Sequence, residues 1–356
     1  VFGIDKRAAR ITWTVALVAF ALYCVYTVRT TLLVLVFAVF FSYVVYPLVE
    51  RGQRSFGQRV PSDAVVALVF ALVLGLIVLA VATFGTPIAT EAATLGQELP
   101  RLLERGELAR RLPLPDILEP FRIRLGELVR NFLEGSQAQA LPAARELGLG
   151  IVRAAGNLVY IVVVPIFSFL MIRHAPAIDL YLTGLAQREQ GLVWARIARD
   201  LNTLLARYVR ALALLSLATL VVYGMVLTLL GVPFALLLAG ISAVLEVIPV
   251  FGPLGAAITI ITVAAFNGYP HVWWLLAFVV AYRVFQDYML SPWLMSEGVH
   301  VPPILVVFGL LAGDELAGVA GIFLSVPVLA AARIIVSRVR ADMATSKGKA
   351  DQAGTR

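Results

Sequence analysis

The stretch LEVIPVFGPLGA, residues 245–256, puts a carboxylate, two prolines and two glycines inside an apolar run. An ionised acid near the centre of a bilayer costs about 2.5–3.5 kcal/mol on insertion scales. Glu246 therefore has two chemistries open to it. It exchanges a proton or a cation, or it is a structural acid that caps a broken helix or pairs with Arg283 or Arg333. Asp287 stands four residues after Arg283, the spacing at which the two can pair on one helix face. That pair is either self-neutralised near the interface or part of a gate or ion path. Asp314 and Glu315 follow Gly313 and either cap an outer turn or form the tip of a hairpin. As proton-exchanging carboxylates the order is Glu246, then Asp287, then Asp314 or Glu315.

The backbone around Glu246 matters as much as its charge. Free N–H and C=O groups in lipid cost several kcal/mol each unless something satisfies them. Pro249 and Pro253 remove donors and interrupt the helical ladder, and Gly252 and Gly255 permit tight geometry. Such a break persists where it is buried in protein or lines a wet cavity. Half-helix ends and unwound carbonyls of this kind form small-ligand sites in transporters.

Other chemistries find little support. His174, His271 and His300 fall at predicted span ends with no ligand spacing, so no metal site is expected. The sequence GISA at 240–243 has Ala243 where a rhomboid-like protease has glycine, and no later span supplies a histidine base. There is no Gly-rich Walker loop. An enzyme is not expected, and no cofactor is called for. Cys24 is the only cysteine, so no intrachain disulfide can form. The excess of Lys and Arg, 29 against 22 Asp and Glu, clusters beside apolar spans at 6–10, 51–59, 188–210 and 333–349. It shows no aromatic-lined basic groove, and nucleic acid is not an expected partner.

The elements that must position these groups are membrane helices. The chain is 60% hydrophobic and 14% charged, against about 45–50% and about 25% for soluble domains. A span needs about 20 apolar residues. Runs at 11–28, 31–49, 63–83, 151–172, 211–230, 271–290 and 316–336 qualify. The first reads as a retained helix rather than a signal peptide, because a second span follows it at once. Residues 233–266 are too long for one helix and break at IPVFGP, and 303–312 is too short to cross. Each odd stretch is a re-entrant hairpin or a pair of short crossings. Lys and Arg beside the spans place both termini in the cytoplasm.

The fold expected is all-α: a polytopic transmembrane protein of about seven to eight spans, with one or two broken or re-entrant helical hairpins and a small helical extracytoplasmic insert. Residues 1–83 hold the first three helices and 84–150 the insert. Residues 151–210 hold the fourth helix and a cytoplasmic amphipathic helix, 211–340 the core with broken helices, and 341–356 a disordered tail. In the insert, Leu99, Leu102 and Leu103 belong to one helix and Phe121, Leu125, Leu128 and Phe132 to a second. The insert packs on the membrane domain or a neighbouring subunit, or touches substrate. Trp194, Ile197, Leu201, Leu204 and Tyr208 share one face of the cytoplasmic helix, an anchor or a coupling lever.

Glu246-Val-Ile-Pro249-Val-Phe-Gly252-Pro253 resembles the E-x-I-P-x-x-G-P signature of the autoinducer-2 exporter family. The C-terminal stretch with Pro302, Gly313, Gly318, Gly321 and Pro327 is similar too, as is VPIFSFLMIR through Pro165, Phe169 and Leu170. The resemblance covers nearly the whole chain. The sequence departs from the family at Arg173-His174-Ala175, where Lys-Asp-Gly is common, and at Arg210-Ala211-Leu212, where Arg-Gly-Gln is. The resemblance implies a homo-oligomeric bacterial inner-membrane exporter, of a signalling molecule or by exchange of sodium or lithium for protons. The expected partners are membrane lipid and a small polar solute or a monovalent cation and a proton. Glu246, Pro249, Gly252 and Pro253 form the expected path, with Arg283, Asp287, Gly313, Asp314 and Glu315. A non-transporting scaffold that binds through the insert is the alternative class, and a channel is a third.

Overall fold

The computed structural model describes residues 6–57, 60–104, 158–185, 189–249, 251–294 and 302–354, and these are almost wholly helical, with no strand among them. In chain order the helices are α1 (Lys6–Thr27), α2 (Arg29–Phe56), α3 (Ser62–Glu104), α4 (Leu158–Leu185), α5 (Glu189–Leu229), α6 (Ala235–Leu245), α7 (Phe251–Phe266) and α8 (Val272–Phe285). A π-helical turn, Gln286–Leu290, joins α8 to α9 (Ser291–Leu294), and α10 (Pro303–Gly354) closes the chain. Among the described residues, five stretches are long and apolar enough to cross a membrane: Arg10–Thr27, Arg29–Phe56, Ser62–Leu95, Val193–Leu229 and Ala320–Arg340. The chain is thus an all-helical, multi-pass membrane protein.

The outward faces agree with that class. Trp13, Phe20 and Tyr23 on α1, Leu72, Leu76 and Leu79 on α3, and Leu217 and Val221 on α5 are exposed. A soluble protein would aggregate through such a surface, whereas lipid tails cover it.

Two segments join what the sequence divides. α3 runs without a break from the third span to Glu104, so Leu99, Leu102 and Leu103 lie on its continuation. The second insert helix, around Phe121 and Phe132, lies outside the described residues. α5 fuses the amphipathic stretch and the fifth span into 41 residues. Its N-terminal half is tied to α10 by Asp200, which accepts from Arg338 at 2.6 Å. α10 itself continues to Gly354 through the stretch that reads as a disordered tail.

The core gathers around the short helices. Leu227 of α5, Leu238 of α6, Ile260 of α7 and Leu275 of α8 are fully buried in one cluster, with Tyr223, Val263, Ala264 and Tyr282 around them. In lipid such a cluster is held by close van der Waals fit and not by expulsion of water.

α6 and α7 form an antiparallel pair. Residues near their open ends meet through Tyr269, whose hydroxyl donates to the Leu230 carbonyl at 2.9 Å, while the tip lies between Leu245 and Phe251. α6 has 11 residues and α7 has 16, so they reach about 16 and 24 Å, each short of a hydrocarbon core of about 30 Å.

α10 is also a hairpin. Its helical geometry fails at Ala317 and at Gly318, where φ is 59°, a left-handed value that favours glycine. The two arms, 303–316 and 319–354, approach so closely that a Cβ on Gly313 would meet the Gly321 backbone, and one on Gly309 would meet Leu329. Small residues at a helix crossing allow this approach.

Candidate functional site

The break in the α6–α7 pair is built from the sequence upwards. Pro249 cannot donate and Gly252 carries no side chain, so the chain turns instead of continuing as helix. Its polar groups are met locally. The Ile248 N–H donates to the Leu245 carbonyl at 2.9 Å, the Phe251 N–H to Pro249 at 2.8 Å, and the Gly252 N–H to Ile248 at 3.0 Å. Gly252 lies so close to the Leu245 carbonyl that a Cβ there would overlap it. Leu245 immediately precedes Glu246, so the glycine fixes where the acid stands.

Glu246 is buried, 8% exposed. Thr219 of α5 donates to its Oε2 at 3.2 Å. Thr219 in turn receives the Gln286 side-chain amide at 3.4 Å, and the Tyr282 hydroxyl lies 3.4 Å from the same oxygen. With Thr219 donating to Glu246, Tyr282 is the donor to Thr219. One hydroxyl then uses its single proton and both its lone pairs. Gln286 reaches this point from the first position of the π-helical turn, a feature that re-aims side chains at functional sites. The ring of Tyr223 stands 5.1 Å from that of Tyr282 and walls the site.

Arg283 is shared. Its guanidinium lies 3.5 Å from Glu246 and 2.7 Å from Asp287. One positive charge therefore faces two carboxylates. With both acids ionised the group carries one net negative charge, held beside a fully engaged set of hydroxyl and amide donors. In a low dielectric such a charge draws a counter-charge strongly. A proton or one monovalent cation balances it.

The structure thus brings together Glu246, Arg283 and Asp287 from the expected set, next to Pro249, Gly252 and Pro253. Arg283, and not Arg333, is the partner that Glu246 finds. Gly313, Asp314 and Glu315 sit at the tip of the α10 hairpin. Among the described residues, no hydrogen bond or ion pair joins Asp314 or Glu315 to the Glu246 group. Sequence reasoning misses Thr219 and Tyr282. Their only signal is a hydroxyl within LLSLATLVVYGM and a tyrosine one residue before Arg283. Among the described residues, no three His, Cys, Asp or Glu side chains could hold a metal. His174 has Nδ1 2.8 Å from the Leu170 carbonyl, and His271 precedes α8.

A further carboxylate acts on the same pair of helices. Glu91, on α3, accepts from the Leu237 N–H at 2.8 Å. Leu237 is the third residue of α6, one of the donors that a helix start leaves unpaired. α6 starts after Phe234, which has φ 59° and offers no side-chain cap of its own. Glu91→Ala is expected to cost about 1 kcal/mol, the scale of a lost cap, read as a lower thermal midpoint. Glu91→Gln should lose less, because the amide oxygen still accepts.

The sequence profile of the group described as AI-2E family transporter matches residues 15–341. The chain belongs to this family. It is similar to YrrI of Bacillus subtilis, 29% identical over 176 residues, which cover 49% of each chain. YueF of the same organism is 20% identical over 297 residues, 81% of this chain and 79% of YueF. YhhT of Escherichia coli K12 is 29% identical over 187 residues, 52% of each chain. The chain thus spans about half the length of YrrI and YhhT in these matches. The names of all three assign them provisionally to transport and name no cargo. The chain is thus a multi-pass membrane protein of this family, and the buried Glu246 group is where its helices break.

Proposed function

We propose that this AI-2E family protein is a secondary transporter that moves a small polar solute or a monovalent cation out of the cell, with Glu246 exchanging cargo for a proton. The observation that carries this reading is the single guanidinium of Arg283 shared between Glu246 and Asp287. It leaves room for one more positive charge at a helix break. When a proton or cation occupies Glu246, Arg283 is free to pair with Asp287 alone. When it leaves, Arg283 swings back to Glu246. The α6–α7 pair is then a re-entrant hairpin whose tip reaches about half-way through the bilayer. Thr219 supports that depth, because it lies 10 residues before Leu229, the last residue of α5, or about 15 Å. α6 brings Glu246 back over a similar distance.

The resemblance to autoinducer-2 exporters supports a small polar cargo, and the charge of the site supports sodium or lithium exchange for protons. The reading puts the protein in the bacterial inner membrane with both termini cytoplasmic. The test is flux in proteoliposomes holding the full chain, with sodium or lithium gradients imposed and internal pH followed. Proton movement that saturates with cation and runs against its gradient is the expected result. Flux that does not saturate points to a channel. No ion-driven proton movement and no solute uptake, with specific capture of a partner through 84–150, points to the scaffold.

A further inference from the structure

Two hydroxyls on α5 are buried without a partner. Tyr208 Oη and Ser216 Oγ have no hydrogen bond among the described residues. Other buried hydroxyls do. Thr219 is the hub of the Glu246 group, and Ser168 and Ser242 each bond to backbone carbonyls. At 100° per residue, Tyr208, Leu212, Ser216 and Thr219 fall within a stripe about 80° wide. Ser216 is one turn from Thr219 and Tyr208 two turns further towards the basic start of α5. Tyr208 and Leu212 pack in a cluster with Phe40 of α2 and Val326 of α10, and Val36 of α2, Val247 of the break and Val306 of α10 line its edge. The stripe thus leads from Glu246 along the seam where α5 meets α2 and the α10 hairpin.

A buried hydroxyl with no partner destabilises the state that buries it. A seam that holds two of them is poorly matched in this closed arrangement and gains when water reaches it. We propose that Tyr208 and Ser216 are the inner stations of the transport path, hydrated when the α10 hairpin parts from α5 and continuous with the Glu246 site. The ligand of these stations is water, or the polar cargo that displaces it. This inference rests on the reading of Glu246 as the central site and adds the route by which that site meets the basic side of the membrane. It also gives the α10 hairpin a role. The close crossing at Gly313 and Gly321 keeps its two arms together, so that it moves as one body.

The experiment needs no known substrate. Cys24→Ser removes the only native thiol. Ser216→Cys then puts a thiol of similar size on the stripe, and Ala264→Cys puts one in the fully buried cluster as a dry control. The full chain in proteoliposomes is treated with a charged, water-soluble methanethiosulfonate present on both sides. Thiols react through the thiolate and need water to form it. The thiol at position 216 is expected to react at least about tenfold faster than the one at position 264, a ratio equal to about 1.4 kcal/mol. Adding Tyr208→Phe should slow the Ser216→Cys variant several-fold, because it removes one station. Equal rates for the two introduced thiols overturn the proposal. So does a Tyr208→Phe variant that melts higher and leaves the rate at position 216 unchanged, which is the behaviour of a dry, merely unsatisfied hydroxyl. Failure here with flux still lost in Glu246→Gln removes the inner route alone. Flux retained in Glu246→Gln removes the central site, whatever the thiol at position 216 does.

Discussion

Glu246→Gln is expected to abolish cation-coupled proton movement, by more than about tenfold, a barrier change of at least roughly 1.4 kcal/mol, while the protein stays folded. The two halves of this result have separate causes. The amide keeps the shape of the side chain and an oxygen that accepts from Thr219, 3.2 Å away in the wild type. It removes one of the two charges that Arg283 serves. Arg283 still has Asp287 at 2.7 Å, so no guanidinium is left alone, and the group becomes neutral without a proton or cation. Stability should hold or rise, since burying a charge is costly. Transport should fail, since nothing at the site then needs a counter-charge. Unchanged flux with unchanged pH dependence would make Glu246 a structural acid.

Gly252→Ala should have the other large effect, this time on the fold. Its new Cβ would overlap the backbone carbonyl of Leu245, and backbone cannot yield as the end of a side chain can. That carbonyl accepts from the Ile248 N–H, and the residue after it is Glu246. Relief of the clash must therefore break a turn hydrogen bond in a place where water is scarce, and it must move the acid. A cost of about 3 kcal/mol is expected, at the upper end for overpacking, read as a lower thermal midpoint and lost flux. Gly255→Ala is the matched control. Its Cβ would meet only the Leu245 side chain at 3.8 Å, an ordinary contact, and the substitution should be tolerated. Equal tolerance at both positions would mean that the turn does not hold the geometry described.

The residues of this site are unequally visible in the sequence. Glu246 and the prolines stand out because a charge and two helix breakers are costly in an apolar run, and cost in lipid is a local property. Arg283 and Asp287 are visible for the same reason. Thr219 is not, because one threonine in a membrane helix can satisfy itself on a carbonyl of its own turn. Only the fold shows that it turns instead to Glu246, across 27 residues of sequence. Gln286 reads as polar, yet its inward aim depends on the π-helical turn, which hydropathy does not report. The α6–α7 pair is legible as a break and as one of two forms, a re-entrant hairpin or a pair of short crossings. The contact of Tyr269 with Leu230 near its open ends is one that no spacing rule predicts. The tip of the α10 hairpin is legible in outline, since Gly313, Asp314 and Glu315 read as an outer turn or a hairpin tip. The close approach of Gly313 to Gly321 appears only in the fold.

The most direct test is chemical. Dicyclohexylcarbodiimide enters lipid and modifies carboxyls that carry a proton. With the full chain in proteoliposomes, peptide mass spectrometry should find the adduct on Glu246. The yield should fall as pH rises, because the proton is lost, and fall at fixed pH as sodium or lithium is added, because the cation takes its place. A Glu246 that stays unmodified at every pH, or one modified to the same extent whatever the pH and cation, would contradict the exchange of a single positive charge at this carboxylate.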